Sequence, residues 1–255
     1  MLIVNADDWG RDVQTTDRIH RCVQHGSVSS VSAMVFMKDS ERAAAIARET
    51  DTYAGLHLNF TTEFSSSRCS SKLLHHQRRV SRFLLAHRGA QLLFHPGLAG
   101  SFEYLVRTQS DEYAKLYGKL PKRLDGHHHM HLCANVLVQG LLPRGTMVRK
   151  NFSFRPGEKP VWNRIYRHFI DNRLARRHRV TDYFFSLTPL EPRERVDYIF
   201  SLATHSVVEV ETHPAALQEY MFLTGEKILS YLSAVTILSQ RQASRSHSAM
   251  KTRSC

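Results

Sequence analysis

Short runs of β-branched and apolar residues alternate along this chain with longer amphipathic stretches. That alternation restricts the fold more than any other feature. Seven runs read as strands: Leu2–Ala6, Ser29–Phe36, Tyr53–Asn59, Arg123–Met130, Thr146–Lys150, Asp182–Ser186 and Val207–Glu211. A helical pattern follows each. Asp39 stands as a cap before Ala43, Ala44, Ile46 and Ala47, and Leu105, Tyr113, Leu116 and Tyr117 fit a helix that ends at Gly118. The stretch Val161–His178 places Trp162, Ile165, Phe169 and Ile170 on one side, and Glu226–Gln240 has the same character. Strand followed by helix, repeated, predicts an α/β protein whose parallel sheet is covered by helices. Seven units suit a (β/α) barrel-like fold of about seven parallel strands, a deformed TIM-type barrel. A doubly wound open sheet shares the same local signal. Residues 61–100, rich in Ser and Arg, break the rhythm and read as an insertion, a long loop or a lid. One domain over 1–241 is expected, with a disordered basic tail over 242–255.

With 255 residues, 42% hydrophobic and 23% charged, the chain can bury a large core, and wholesale disorder is excluded. No stretch reaches the ~18 consecutive apolar residues of a membrane span. The first residues, Met1-Leu2-Ile3-Val4-Asn5-Ala6-Asp7-Asp8, lack the basic and long apolar regions of a secretory signal, so a cytoplasmic protein is expected. Lys and Arg number 35 against 23 Asp and Glu, a net charge of +12. The positive charge is scattered and no nucleic-acid motif accompanies it, so no nucleic-acid partner is expected. The four cysteines form no CxxC pair, which disfavours a zinc ribbon or a disulfide framework.

The sixteen histidines are the compositional oddity. Strand one ends in Asp7-Asp8, and two carboxylates closing a buried run need a cation, a hydrogen-bond network or water. A helix cap is the plainer alternative. His57 lies in the apolar run Ala54–Asn59, where a satisfied core histidine is the plainer alternative. In Asp125-Gly126-His127-His128-His129-Met130-His131, an extended chain would put Asp125, His127, His129 and His131 on one face. That face suits a divalent ion or a polar substrate, with Asp125 able to orient an imidazole through its second ring proton. An exposed histidine-rich loop is the alternative. Val207–Pro214 delivers Glu209, Glu211 and His213 on one face, ending at a proline that stops pairing. An exposed edge strand is the alternative there. Asp7, Asp8, His57, His127 and His213 all fall near the C-terminal halves of predicted strands, where barrels of this type gather their active sites.

Four blocks together, Asn5-Ala6-Asp7-Asp8-Trp9-Gly10, Gly55-Leu56-His57, Asp125 through His131, and His213-Pro214, resemble the YdjC/ChbG-like carbohydrate deacetylases in order and spacing over about residues 1–226. The resemblance implies a (β/α) barrel, often a homodimer, that hydrolyses the acetyl group from an N-acetylated sugar, typically a chito-oligosaccharide. It implies a divalent ion, generally magnesium, on Asp8, His57 and His127, with Asp7 as catalytic base and His213 as acid. His129 and His131 would line the site. The imidazole-rich donor set taken alone suits zinc. Arg149, at the end of the fifth strand, is a candidate to orient a carboxylate or a substrate oxygen. Histidine, with an ordinary pKa of ~6.5, suits proton donation to a departing amine. The competing chemistry is a metal-dependent phosphoesterase or amidohydrolase on a similar barrel, separable by whether acetate or phosphate is released.

Overall fold

The computed structural model describes residues 1–87, 89–155 and 157–234. Its strands are β1 (Leu2–Trp9), β2 (Ser30–Ala33), β3 (Ala54–Leu58), β4 (Arg123–Gly126), β5 (Met147–Val148), β6 (Tyr183–Ser186) and β7 (Val208–Thr212). They make one sheet in the order β5-β4-β3-β2-β1-β7-β6. Every pairing is parallel. The sheet curls into a half-barrel. β5 and β6 are its edges, and Met147 of β5 makes an isolated parallel bridge to Arg179, in the segment that precedes β6.

Among the described residues the strands are accompanied by α1 (Val13–Gln24), α2 (Ser40–Glu49), α3 (Ser71–Leu85), α4 (Ala99–Tyr117), α5 (Ala134–Gln139), α6 (Val161–Ala175) and α7 (Arg193–Leu202), with α8 (Leu217–Thr224) after the last strand. Residues 226–234 are also helical. The remainder of the expected Glu226–Gln240 helix and the tail over 242–255 lie outside the described residues.

Strand parity divides the sheet into two unlike faces. Val4, Ala6, Val31, Ala33, Leu56, Leu58, Leu124, Val208 and Val210 join helix residues such as Ile19, Ala47, Leu105, Tyr113 and Ile199 in one apolar core. Each large side chain fully buried there contributes roughly 1.5–3 kcal/mol. The opposite, concave face carries Asn5, Asp7, Ser30, Ser32, His57, Arg123, Asp125, Glu209 and Glu211, all buried. The fold is held together from the helix side, while the inside of the curl is polar.

Four local readings are sharpened by the structure. The carboxylate that caps α1 is Asp12, which accepts a hydrogen bond from the Thr15 amide at 2.8 Å, so Asp7 and Asp8 are not spent on a cap. Asp39 sits at the head of α2 but makes no side-chain cap bond; its oxygens take the Arg42 guanidinium instead. The segment 61–100, read as an insertion, a long loop or a lid, contains α3, because Leu73, Gln77, Val80 and Leu84 recur at helical spacing and are buried, and Ser70 caps it. On α6 only Ile170 and Leu174 are buried, while Trp162, Ile165 and Phe169 face outward. No described helix is long and apolar enough to cross a membrane.

Candidate active site

The polar side chains meet at the C-terminal end of the sheet. β1 delivers Asp7 and Asp8. Alternation along a regular strand would send neighbouring side chains to opposite faces. Here the β1–β2 register shifts between Ala6 and Trp9, and Asp8 takes φ +68°, so both carboxylates turn to the same cavity. A left-handed non-glycine residue costs about 1–3 kcal/mol, which is characteristic of functional sites. β3 delivers His57, paired in register with Asp125 of β4. Gly55 is required beside it, since a Cβ there would lie 2.9 Å from the Arg123 carbonyl oxygen.

The histidine cluster is not extended as expected. β4 stops at Gly126, and His127–Leu132 forms a 3-10 turn with left-handed His128 (φ 54°) and His129 (φ 57°). Gly126 permits the fold-back, because a Cβ there would meet the His131 backbone nitrogen at 2.9 Å. The turn separates the imidazoles. His127 points into the cavity. His128 meets the Thr61 hydroxyl at 3.0 Å, and His129 lies 3.5 Å from Glu211 and edge-on to Phe152. His131 is fully buried and donates Nε2–H to the Arg149 carbonyl, so it supports the site from behind rather than lining it.

At the centre, Asp8 Oδ1 is 3.0 Å from His127 Nδ1 and 3.6 Å from His57 Nε2. His57 donates Nδ1–H to Asp125 Oδ1 at 2.7 Å, which turns the lone pair of Nε2 toward Asp8. Asp125 therefore orients the neighbouring strand's imidazole, not one from its own segment. Asp8 Oδ1 and His57 Nε2 are buried without a hydrogen-bond partner. Two donors about 2.1 Å from one ion lie roughly 3.0–3.4 Å apart at tetrahedral or octahedral angles. The 3.0 Å Asp8–His127 separation falls within that range and the 3.6 Å Asp8–His57 separation just beyond it, and the orphaned atoms are those an ion would satisfy.

Around this centre, five buried carboxylates (Asp7, Asp8, Asp125, Glu209 and Glu211) face two buried guanidinium groups, Arg123 and Arg149. Such an excess of buried negative charge favours a cation. Arg149 binds both oxygens of Asp7 (2.7 and 2.8 Å), Glu209 at 2.7 Å, Glu211 at 2.9 Å and Asp125 at 3.0 Å. Arg123 contacts Glu209, Asp125 and Asn5. Asn5 in turn donates to Asp7 at 2.7 Å. Burial would raise Asp7, but Arg149 and His57 hold it below the usual carboxylate range. Asp8 is held low against burial by His127 and His57, and Asp125 well below by Arg149 and Arg123. Burial and the adjacent Asp7 push Glu211 well above its ordinary value. For His57, burial is outweighed by Asp7, Asp125 and Asp8, which raise it.

Burial pushes His131 down to about 4. In the unfolded chain a histidine takes up its proton near pH 6.5, so between ~6.5 and ~4 the unfolded state binds more protons and this residue removes stability as pH falls, by at most about 3 kcal/mol. In urea melts at pH 7 and 4.5, His131→Asn is expected to lose less stability on acidification than the wild type. Equal losses would mean that His131 is not the group responsible.

Asp7, Asp8, His57, His127, His129, Glu211 and His213 line one cavity of about 340 Å³. His213 follows β7, an interior strand, and stands partly exposed with Nε2 4.0 Å from Asp7 Oδ2. Its backbone N–H donates to the buried Glu219 at 2.6 Å. The sequence reading brought no role for Glu219, Asn5 or Arg123. Arg123 and Asn5 carried a signal: each is a polar residue two positions before a site carboxylate, Asp125 and Asp7, on the same strand face.

A family model for YdjC-like proteins matches residues 1–244. Relatives by sequence include a carbohydrate deacetylase of Danio rerio, 28% identical over 139 residues, covering 53% of this chain and 43% of that protein. A chitooligosaccharide deacetylase of Serratia marcescens is 30% identical over 135 residues, 52% of this chain and 51% of that one. The chain thus spans about half the length of these two relatives. A chitooligosaccharide deacetylase of Yersinia enterocolitica aligns at 24% identity over 233 residues, 88% of this chain and 85% of that one. Among solved structures, an Enterococcus faecalis protein provisionally described as a cellobiose-phosphate cleavage protein superposes with a TM-score of 0.61 at 18% identity, over 92% of this chain and 94% of that one. That likeness speaks to the fold alone. Because the family match takes in all seven strands and the whole acid–imidazole centre, the chain belongs to the YdjC-like family.

Proposed function

We propose that this protein is a metal-dependent carbohydrate deacetylase, hydrolysing the N-acetyl group of an amino sugar or chito-oligosaccharide and releasing acetate. The observation that carries this reading is the convergence of Asp8 Oδ1, His57 Nε2 and His127 Nδ1 in a buried centre with two atoms unsatisfied. The deacetylase names of the relatives supply the substrate class. Asp8, His57 and His127 would hold a divalent ion. Such an ion, when bound, supplies Lewis-acid polarisation of the acetamide and of the attacking water. Magnesium follows from the family resemblance, and the two imidazole donors favour zinc.

The chain's own residues supply the proton traffic. Asp7, kept ionised by Arg149, accepts the proton of the water that attacks the acetamide carbon. His213, across the cavity and close to Asp7, delivers a proton to the amine nitrogen as the C–N bond breaks, giving acetate and a free amino sugar. Arg149 positions Asp7 and does not itself reach the cavity. His129 forms part of the wall beside Glu211.

Metal analysis of the purified protein, paired with an acetate-release screen over N-acetylated sugars, tests the proposal. About one equivalent of divalent metal is expected, lost in Asp8→Ala and His127→Ala. A wild-type protein that binds no divalent ion, or that frees phosphate from esters but no acetate, would refute it.

A further inference from the structure

Helix α6 turns an apolar stripe away from the protein. Val161, Ile165 and Phe169 recur at helical spacing beside Trp162, and all four stand in solvent, Trp162 being 82% and Phe169 63% exposed. A second apolar segment adjoins the stripe. Leu92, at the end of a 3-10 turn, lines one cavity with Tyr166 of α6, and the exposed Leu93 and Phe94 follow it. Single exposed apolar residues are ordinary, but a gathered set marks an association site. The surroundings of this one are basic. From Val161 to Arg179 the chain carries six arginines against one carboxylate, Asp171. Asp171 is taken up by Asn151 at 2.9 Å and faces Lys150 at 3.7 Å. Arg164 flanks the stripe, and Arg173 and Arg176 continue it at the C-terminal end of the helix. None of these three makes an ion pair among the described residues.

We propose that this face docks on an anionic lipid surface. The apolar side chains of α6 and of Leu92–Phe94 enter just below the headgroups, and the arginines lie among the phosphates. Charge complementarity selects this occupant. A second copy of the chain, in a symmetric contact, would set the arginines of one face against those of the other. Residues 235–255 fit no better, since they carry Arg241, Arg245, Lys251 and Arg253 and no acidic residue. Nucleic acid would engage the arginines but leave the aliphatic side chains in water. The net charge of +12 adds long-range attraction to a negative surface. His128 and His129 line both the cavity beside Tyr166 and the acid–imidazole centre, so the docking face lies on the rim of the candidate active site. The inference does not depend on which reaction that site performs.

The two tryptophans supply a readout, because Trp9 is fully buried and Trp162 stands in solvent. The full chain is sedimented with vesicles of phosphatidylcholine alone and with vesicles about a quarter phosphatidylglycerol, and tryptophan emission is followed in parallel. Binding is expected to be about tenfold tighter on the anionic vesicles, with emission moving to the blue, and to be lost in high salt. Ile165→Ser with Phe169→Ser, and separately Arg173→Glu with Arg176→Glu, should each weaken binding about tenfold. Their urea melts should stay close to wild type, since these side chains are exposed. Arg173→Lys with Arg176→Lys should keep the binding. Failure to bind, equal binding to the two kinds of vesicle, or unchanged binding in both double variants would overturn the proposal. So would a dimer in sedimentation that Ile165→Ser with Phe169→Ser dissolves while the wild type ignores vesicles, a result that assigns the face to a second copy.

Discussion

Asp7→Asn is expected to lower acetate release by about 10²–10⁴-fold, the usual worth of a positioned general base, while leaving the metal content near that of the wild type. Asparagine keeps the shape of the side chain and one oxygen for Arg149, but it cannot take a proton from water. The ligand atoms of the centre belong to Asp8, His57 and His127, and none of them depends on Asp7 for its hydrogen bonding. A fall in turnover without a fall in metal therefore separates the base from the ligands. Near-wild-type turnover in Asp7→Asn would remove Asp7 from the mechanism.

The largest effect on stability is expected at Arg149. Its side chain is fully buried and engages Asp7, Glu209, Glu211 and Asp125 at once. Arg149→Met removes the only positive charge among the described residues that reaches all four, and breaking such a buried ionic group costs about 3–5 kcal/mol. That is a large part of the 5–15 kcal/mol that ordinarily holds a domain together. Urea melts should show it, and poor soluble expression should accompany it. Arg149→Lys keeps one charge but cannot form paired contacts with Asp7, so it should fall between. If Arg149→Met unfolded within 1 kcal/mol of wild type, the carboxylates would have to be relieved in some other way.

The strand ends were legible in the sequence because the β-branched runs stop where the acidic and imidazole residues begin. Their meeting at one end of a parallel sheet follows from topology alone. The way they turn was not legible. Alternation sets Asp7 and Asp8 on opposite faces, and only the bulge between Ala6 and Trp9, fixed by pairing with β2, brings both inward. The same rule stretches His127 through His131 into a strand, whereas the fold-back at Gly126 sends His131 to the Arg149 carbonyl. Arg149 reaches Asp7 across 142 positions of sequence, a distance over which no local pattern carries information. α6 misled for a different reason: apolar spacing shows which residues share a side of a helix, not whether that side meets a core.

The polar concave face has an engineering consequence. Replacing a buried ion pair with well-fitted aliphatic side chains is often neutral or stabilising. Joint replacement of Arg123 and Glu209 by Met and Leu could therefore yield a sturdier scaffold, while stripping support from Asn5 and, through it, Asp7. Directed evolution for heat resistance alone would be drawn to such positions, and selection in this protein should pair a thermal challenge with a screen for turnover.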